Sequence, residues 1–179
     1  MEKDIKEILF SREEIEKKIG ELGNKIADDY RGKDLVLVGV LKGANVFMSD
    51  LMRKINIPLT IDFMAVTSYG LSTESSGVVK ILKDLDHSIE DKDVLVVEDI
   101  IDTGLTLHYL CENLLSRKPK SLKICALLDK PDRRKIDIPI DYKGFDIPDE
   151  FIVGYGIDYA EQYRNLPYIA ALKREVYEK

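Results

Sequence analysis

The sequence predicts an α/β protein with a mostly parallel central sheet flanked by helices, and three short apolar runs carry that prediction. They lie in residues 35–40, 94–97 and 121–128, and short apolar runs of this kind are typical of strands buried on both faces of a sheet. Helical patterns separate them, and strands that alternate with helices indicate parallel pairing. No repeat or low-complexity linker divides the 179 residues, so we predict a single domain over residues 1–179.

The first part of the chain is predicted to contain two helices around the first buried strand. Residues 11–14 have the Ser-x-x-Glu spacing of a capping box, and Ile or Leu then recurs every three or four residues up to Ile26. That helix ends near residues 31–33, and a second helix follows Lys42-Gly43 and runs through Met52. Its N-terminal side therefore lies directly after the strand at residues 35–40.

The middle and the end of the chain continue the alternation. A strand is predicted from about Thr60 to Ser68, a polar loop over residues 69–77, and a returning strand over 78–82. A helix to about Ser116 follows the second buried strand, and irregular strands are predicted for the C-terminal part. In parallel sheets, ligands bind at the carboxyl ends of the strands. The polar residues that follow the buried strands are therefore the candidates for a site: Lys42, residues 98–106 and Lys130.

Composition excludes several classes of protein. The net charge of −6 and a pI near 5.1 argue against nonspecific nucleic-acid binding, which needs a basic face. No apolar run approaches the roughly 20 residues of a membrane span, and the N-terminus lacks an apolar signal core, so we expect a cytoplasmic protein with no membrane partner. Cys111 and Cys125 lack Cys-x-x-Cys spacing, which favours buried, reduced thiols.

One segment combines carboxylates with the start of a helix. Glu98 and Asp99 follow the strand at 94–97, Asp102 comes three residues later, and residues 103–106 open the next helix. A helix N-terminus offers unpaired N–H groups to a phosphate, whereas the carboxylates alone would repel one. Mg²⁺, or ribose hydroxyls that donate to the carboxylates, would resolve this conflict. The alternative is an acidic loop with an ordinary helix cap.

Other nucleotide and metal signatures are missing from the sequence. It contains no G-x-x-x-x-G-K-[ST] motif, and Gly154-Tyr155-Gly156 lacks the third glycine of a dinucleotide site. His87 and His108 are each isolated from other potential metal ligands in the sequence. We therefore expect neither a P-loop nor a histidine-based metal centre.

Residues 94–106 resemble the phosphoribosyl-pyrophosphate (PRPP) motif of the type I phosphoribosyltransferases. Four further segments are similar to bacterial hypoxanthine-guanine phosphoribosyltransferases, and the similarity runs in order from about Ile8 to Leu172. These segments are Gly39–Gly43, Asp62-Phe63 with Ser68-Tyr69-Gly70, Leu128–Pro131, and Phe151–Tyr159. The resemblance implies the type I phosphoribosyltransferase fold, with a small hood built from the N- and C-terminal segments. It also implies Mg²⁺-dependent transfer of the phosphoribosyl group of PRPP to hypoxanthine or guanine, giving IMP or GMP and pyrophosphate in purine salvage.

The resemblance further implies how PRPP and Mg²⁺ are held. Glu98 and Asp99 would engage the ribose hydroxyls and a metal ion, and Asp158 a second metal ion. Arg164 would contact pyrophosphate, as would the loop at Lys42 and Gly43, where the family has a cis peptide before the lysine. Ser68 and Tyr69 would belong to a lid over the reacting centre. The 5′-phosphate loop would comprise Asp102, Thr103, Gly104, Leu105 and Thr106.

The purine site is implied in the same way. Asp102 corresponds to the residue proposed as general base or acid at purine N7, Lys130 to the ligand of O6, and Phe151 to the ring that stacks on the base. Val153 corresponds to a main-chain contact with the purine edge. Because an ammonium group only donates hydrogen bonds, Lys130 would accept a 6-oxopurine and reject adenine.

Several alternatives stay open at this point. Lys42, Lys130 and Arg164 could be ordinary surface or turn residues, Asp158 could only cap a turn, and Phe151 and Val153 could both be core. The neighbouring pair Arg133-Arg134 is interpreted as a surface or interface feature. The base preference could be shifted towards xanthine, or the fold could serve a PRPP-sensing regulator that binds nucleic acid. Either a homodimer or a homotetramer is expected.

Overall fold

Two sheets make up the fold, and the computed structural model describes them over residues 1–68 and 79–178. The predicted polar loop over 69–77, including the lid residue Tyr69, lies outside the described residues. Short 3-10 turns occur at Glu2–Asp4 and Pro131–Arg133. The other elements, in chain order, are β1 (Ile5–Phe10), α1 (Arg12–Asp29), β2 (Leu35–Leu41), α2 (Ala44–Met52), β3 (Leu59–Ser68), β4 (Val79–Lys83), β5 (Asp93–Ile101), α3 (Leu105–Ser116), β6 (Ser121–Asp129), β7 (Tyr142–Asp146), β8 (Ile152–Val153), β9 (Ile169–Leu172) and α4 (Arg174–Tyr177).

The larger sheet has six strands in the order β4-β3-β2-β5-β6-β7. Four of its five pairings are parallel, and only β4 runs antiparallel to its neighbour β3. The predicted mostly parallel sheet is therefore confirmed. Since β2, β5 and β6 lie side by side and point the same way, the polar residues that follow them meet at one edge.

Helices cover both faces of this sheet because alternate residues of each strand point to opposite sides. Leu35 and Leu37 of β2 pack in a core with residues of α1 and α2, whereas Val36 and Val38 pack in a second core with residues of α3. Such double coverage is the reason why β2 carries no polar side chain at any position. The capping box at the start of α1 is present, with Ser11 Oγ accepting from Glu14 N at 3.2 Å.

The smaller sheet has the order β1-β9-β8 and is antiparallel. It joins the two ends of the chain, with Ile5 paired to Leu172 and Phe10 paired to Ile169. The hood of N- and C-terminal segments is thus confirmed. The sequence analysis predicted α1 but not β1, since nothing near residues 5–10 indicates a partner that lies about 160 positions away.

Two other features differ from or extend the expectations. β5 continues through Glu98 and Asp99 to Ile101, rather than ending at Val97, because β6 stays paired with it as far as Asp129. Cys111 and Cys125 are both buried and free, as predicted. Among the described helices, none is long and apolar enough to cross a membrane.

Candidate active site

The candidate site lies where β2, β5 and β6 end side by side. Lys42 follows β2, Asp102 follows β5, and Lys130 follows β6. The backbone N–H of Lys130 donates to the carbonyl of Ile101 at 2.9 Å, so the ends of β5 and β6 stay in contact beyond the strands. The structure therefore brings together the three regions that the sequence predicted to carry the chemistry.

The loop after β2 packs directly against the acidic residues of β5. The peptide bond between Leu41 and Lys42 is cis, as the family resemblance implied. A methyl group on Gly43 would overlap the Asp99 carboxylate, so only glycine fits there without moving that side chain. A methyl group on Gly156, which has a φ of +98°, would in turn overlap the carbonyl of Gly43. Asp99 is thus fixed by close backbone packing.

Glu98 and Asp99 form an acidic pair in which the charge of one affects the ionisation of the other. Asp99 is 8% exposed, and its carboxylate accepts from Ile100 N at 2.8 Å. Burial raises the pKa of both groups, and the charge of Asp99 contributes to raising that of Glu98 well above its ordinary value. Arg164 acts on the pKa of Asp99 in the opposite direction, but burial outweighs it. Two buried like charges of this kind attract protons or cations.

The donor set of this pair suits Mg²⁺ in one particular mode of binding. Carboxylate oxygens are the hard ligands that Mg²⁺ prefers, and it is usually held by one or two carboxylates together with substrate phosphates. Among residues 1–68 and 79–178, no three His, Cys, Asp or Glu side chains lie close enough to hold a metal ion alone. The chain therefore offers an open half-site rather than a closed cage.

The segment after β5 forms a small cradle at the start of α3. A cavity of about 130 Å³ lies here, and the backbone turns into the helix at Gly104, which has a φ of +83°. The N-cap residue of α3, Gly104, has no side chain to cap the helix, and Thr103 Oγ1 accepts only a long hydrogen bond of 3.4 Å from Leu105 N. The start of α3 therefore directs backbone N–H groups and the positive end of the helix dipole at the cavity. The cavity is lined by Glu98, Ile100, Ile101, Asp102, Thr103, Gly104, Thr106 and Leu107. This arrangement can bind a phosphate.

Asp102 pairs with an arginine that the sequence analysis did not connect to it. Arg133 Nε lies 2.8 Å from Asp102 Oδ1, and Arg133 Nη1 lies 3.4 Å from Asp149 Oδ1. The alignment of Nε falls short of a hydrogen bond, so the buried Oδ1 accepts none from the described residues. The surface interpretation of Arg133 is therefore incomplete, since the side chain is exposed but engages the candidate catalytic carboxylate.

Lys130 and Phe151 lie on the side of the site that faces the hood. Lys130 is 8% exposed and donates through Nζ to the carbonyl of Glu150 at 2.6 Å. Burial lowers the pKa of Lys130. Phe151 is partly exposed and stacks on Tyr177 of α4, with 4.9 Å between ring centroids, while Tyr159 meets it edge to face. The contact of Phe151 with Tyr177 was not found from the sequence.

Val153 points into the core of the hood rather than into the site. Its side chain is fully buried with Tyr163, Leu166 and Leu172. Any contact with a ligand must therefore come from its main chain, which is the kind of contact that the resemblance implied. Ser68 ends β3, where it pairs with Val79 of β4.

Glu161 joins two cations of the site and was missed by the sequence analysis. Its carboxylate lies 2.8 Å from Lys42 Nζ and 3.2 Å from Arg164 Nη2. Lys42 lowers the pKa of Glu161, first through the hydrogen bond and then through its charge. Asp158 lies 2.9 Å from Arg164 Nη2 and accepts from Glu161 N. Asp158 thus caps a turn and forms an ion pair, and its predicted role as a metal ligand stays a prediction.

A larger cavity of about 550 Å³ lies on another side of Arg164, between α1, α2 and residues 164–167. It contains none of the acidic pair, the cradle or Lys130. The larger cavity is therefore separate from the candidate site at the ends of β2, β5 and β6.

Comparisons with a family model and with known proteins indicate the same family. The model of the phosphoribosyl transferase domain matches residues 6–160. The hypoxanthine-guanine phosphoribosyltransferase of Bacillus subtilis is 57% identical over 178 residues, with 99% of both chains covered. That of Staphylococcus aureus strain Mu50 is 58% identical over 177 residues, again with 99% of both chains covered.

Solved structures agree with this result. A hypoxanthine phosphoribosyltransferase from Staphylococcus aureus has a TM-score of 0.98 at 57% identity, covering 100% of this chain and 97% of that one. A hypoxanthine-guanine phosphoribosyltransferase from Bacillus anthracis, with HEPES in its active site, has a TM-score of 0.91 at 55% identity, covering 94% and 99%.

Proposed function

We propose, from the premise that this chain belongs to the hypoxanthine-guanine phosphoribosyltransferase family, that it transfers the 5-phosphoribosyl group of PRPP to hypoxanthine or guanine. The bond from C1 of ribose to pyrophosphate breaks, the bond from C1 to purine N9 forms, and the products are IMP or GMP and pyrophosphate. This proposal rests on one observation: an acidic pair, the N-terminus of α3 and a buried lysine lie together at one edge of the sheet.

The cradle at the start of α3 binds the 5′-phosphate of PRPP in this proposal. Backbone N–H groups of residues 103–106 and the hydroxyls of Thr103 and Thr106 donate to the phosphate oxygens. Glu98 and Asp99 accept from the ribose hydroxyls and help to hold Mg²⁺, as their buried like charges favour. Bound Mg²⁺ supplies charge neutralisation for the leaving pyrophosphate.

In this proposal, Lys42 and Arg164 bind pyrophosphate and release their present partner, the carboxylate of Glu161. Both cations contact the Glu161 carboxylate, and a pyrophosphate group would compete for the same donors. The Lys42–Glu161 pair is largely exposed, with both side chains about two-thirds accessible, and solvent screening makes such exposed pairs weak. Glu161 is therefore displaced at little cost.

Asp102, Lys130 and Phe151 act on the purine. Asp102 takes the N7 proton as N9 attacks, and general-base assistance of this kind is worth about 10²–10⁴-fold in rate. Lys130 donates to O6, while its contact with the carbonyl of Glu150 fixes the ammonium group beside Phe151. The ring of Phe151 stacks on the base. A site built on such a hydrogen bond rejects a base without the acceptor by about 10⁴-fold or more.

Base selection tests this function. Purified protein with PRPP and Mg²⁺ is incubated separately with hypoxanthine, guanine, xanthine and adenine, and nucleotide formation is followed by chromatography. We expect IMP and GMP, loss of both with EDTA, and almost no AMP. Turnover of adenine near that of hypoxanthine would contradict the assignment of Lys130. PRPP binding without any turnover would indicate a sensor instead of an enzyme.

The assembly is a homodimer or homotetramer in this proposal. Closed symmetric oligomers are the common form of such proteins, and large apolar side chains are exposed on neighbouring strands, with Ile61 of β3 at 44% and Leu82 of β4 at 62%. The cytoplasmic location stays a prediction from the sequence.

A further inference from the structure

Arg133 lies at the end of the 3-10 turn that connects β6 with the segment leading to β7. Its side chain is 47% exposed, yet it pairs with two acidic residues from different parts of the site, Asp102 and Asp149. Asp149 immediately precedes the loop of Glu150 and Phe151. One guanidinium group therefore bridges the end of β5 to the loop that carries the purine-stacking ring.

The backbone around Arg133 is tied to both neighbours of Asp102. Before the turn, Lys130 N donates to the carbonyl of Ile101 at 2.9 Å, and after it, Lys135 N donates to the carbonyl of Thr103 at 2.9 Å. Within the turn, Arg133 N donates to the carbonyl of Lys130 at 3.2 Å. The distance from Arg133 to Asp102 is thus determined by main-chain contacts rather than by a flexible surface loop.

The two oxygens of Asp102 have different surroundings. Oδ1, which lies beside Arg133, is buried, whereas the side chain as a whole remains 45% exposed. The accessible part of the carboxylate is therefore the side that carries Oδ2. This oxygen is available to a ligand, while the inner oxygen lies 2.8 Å from Arg133 Nε as an ion pair without hydrogen-bond alignment.

We propose that Arg133 is a positioning residue that holds the inner oxygen of Asp102 so that the outer oxygen faces the purine. Arg133 does not touch the substrate in this scheme and acts only through Asp102. A planar guanidinium suits the task because it offers several donors in a fixed geometry and can serve Asp102 and Asp149 together. The inference rests on the proposed role of Asp102 in proton transfer.

A double-mutant cycle tests this inference. Arg133→Met removes the charge but keeps an unbranched side chain, and Asp102→Asn removes the carboxylate. Lys135→Met is the matched control, since it removes one positive charge from the same exposed segment and Lys135 forms no ion pair with the described residues. Arg133→Lys tests whether a positive charge alone restores kcat. Arg133→Gln replaces Arg133→Met if that variant does not fold, as judged from thermal unfolding.

We expect Arg133→Met to lower kcat about tenfold, because a displaced catalytic group loses much of its orientation advantage. The KM for PRPP should stay within about twofold, Lys135→Met should behave as wild type, and Arg133→Lys should recover part of the loss. In the Asp102→Asn background, Arg133→Met should have no further effect, since the two residues act as one unit.

Three results would overturn the inference. An unchanged kcat in Arg133→Met excludes the positioning role, and an equal loss in both backgrounds shows that Arg133 acts independently of Asp102. A raised KM for PRPP with normal kcat would instead indicate direct phosphate binding by Arg133. Full activity of Asp102→Asn would refute the proposed role of Asp102 itself, which separates that failure from failure of the Arg133 inference alone.

Discussion

At the residue scale, the most consequential feature is the placement of Glu98 beside Asp99 in a strand that is buried on both sides. Burial raises the pKa of Glu98 well above its ordinary value, and the charge of Asp99 adds to the effect. A group with a raised pKa in the folded state stabilises the fold while it is protonated, and that contribution is lost as the pH rises through the folded pKa. The folded state therefore loses stability relative to the unfolded chain as the pH rises above the ordinary range of a glutamate, and we interpret this cost as serving PRPP and Mg²⁺ binding.

Neutralising Glu98 should stabilise the protein. We expect Glu98→Gln to increase the free energy of unfolding at pH 8, because the amide removes a charge that burial and the neighbouring Asp99 disfavour. The gain should shrink as the pH falls towards the ordinary range of a glutamate. Urea unfolding at several pH values measures it, with exposed Glu90→Gln as the control. A loss of stability at pH 8 would show that the pair is favourable in the folded state.

Gly43 and Gly20 give a second comparison between single residues. A methyl group on Gly43 would overlap the Asp99 carboxylate, whereas one on Gly20, in the interior of α1, would meet nothing within 4 Å. We expect Gly43→Ala to reduce IMP formation more than tenfold, because small displacements of oriented groups can cost about 10²-fold. Gly20→Ala should leave the activity unchanged and add about 0.5–1 kcal/mol of stability. Normal activity of Gly43→Ala would contradict the tight packing.

The sequence located Lys42, Glu98, Asp99, Asp102 and Lys130 because each follows or ends a strongly apolar strand. Glu161, Arg133 and Tyr177 carried no comparable signal. Glu161 reaches Lys42 across 119 positions, and Arg133 reaches Asp102 only because β6 lies next to β5. Such ion pairs depend on tertiary packing, which no local pattern records.

At the scale of secondary-structure elements, the short helix α4 supports the ring of Phe151, the residue proposed to stack on the purine. Tyr177 stacks on Phe151 with an interplanar angle of 29°, and Tyr159 contacts the same ring edge to face. One face of Phe151 is thus covered by the C-terminal helix, and the base must stack on the remaining face. The C-terminal segment therefore contributes to the proposed purine site although it lies far in sequence from the cradle at the start of α3.

Removing the ring of Tyr177 should weaken purine binding and leave PRPP binding unchanged. We expect Tyr177→Ala to raise the KM for hypoxanthine about 3–10-fold, because an aromatic pair contributes about 0.5–1.5 kcal/mol beyond its area. The KM for PRPP should not change. Steady-state kinetics measure both constants, and Val176→Ala, in the same helix, keeps the ring pair and serves as control. A change confined to PRPP would refute this role of α4.

Element boundaries were predictable where burial determines them. The strands β2, β5 and β6 were expected from their apolar runs, while the continuation of β5 through two acidic residues was not, since carboxylates in a buried strand contradict the usual pattern. That exception coincides with the candidate site. β1 escaped prediction because its pairing with β9 depends on contacts between distant parts of the chain, whereas β8 and β9 lie in the C-terminal part, where irregular strands were predicted.

At the scale of the whole molecule, the hood and the larger sheet carry different residues of the candidate site. The larger sheet carries the proposed PRPP cradle and the acidic pair, whereas the hood and its flanking loop carry the proposed purine and pyrophosphate contacts Phe151, the main chain of Val153 and Arg164. Residues that serve one reaction thus come from two sheets. Their relative placement depends on close contacts such as that between Gly156 and Gly43.

The exposed apolar side chains predict self-association. We expect light scattering to give about two or four times the chain mass of 20.4 kDa. Leu82→Lys should weaken the assembly if β4 contributes to the interface, since a charge there would be desolvated. Lys80→Glu, on the same strand, is a control for the change of surface charge. A mass of one chain at micromolar concentration would contradict the proposed oligomer.

The most direct test of the account separates PRPP binding from chemistry at Asp102. Calorimetry with PRPP and Mg²⁺, and single-turnover formation of IMP, would be measured for the wild type and for Asp102→Asn, with Asp137→Asn as an exposed control. We predict nearly unchanged PRPP affinity in Asp102→Asn and a rate of IMP formation lower by about 10²-fold or more. An unchanged rate would contradict the claim that Asp102, at the end of β5, is the group that moves the purine proton.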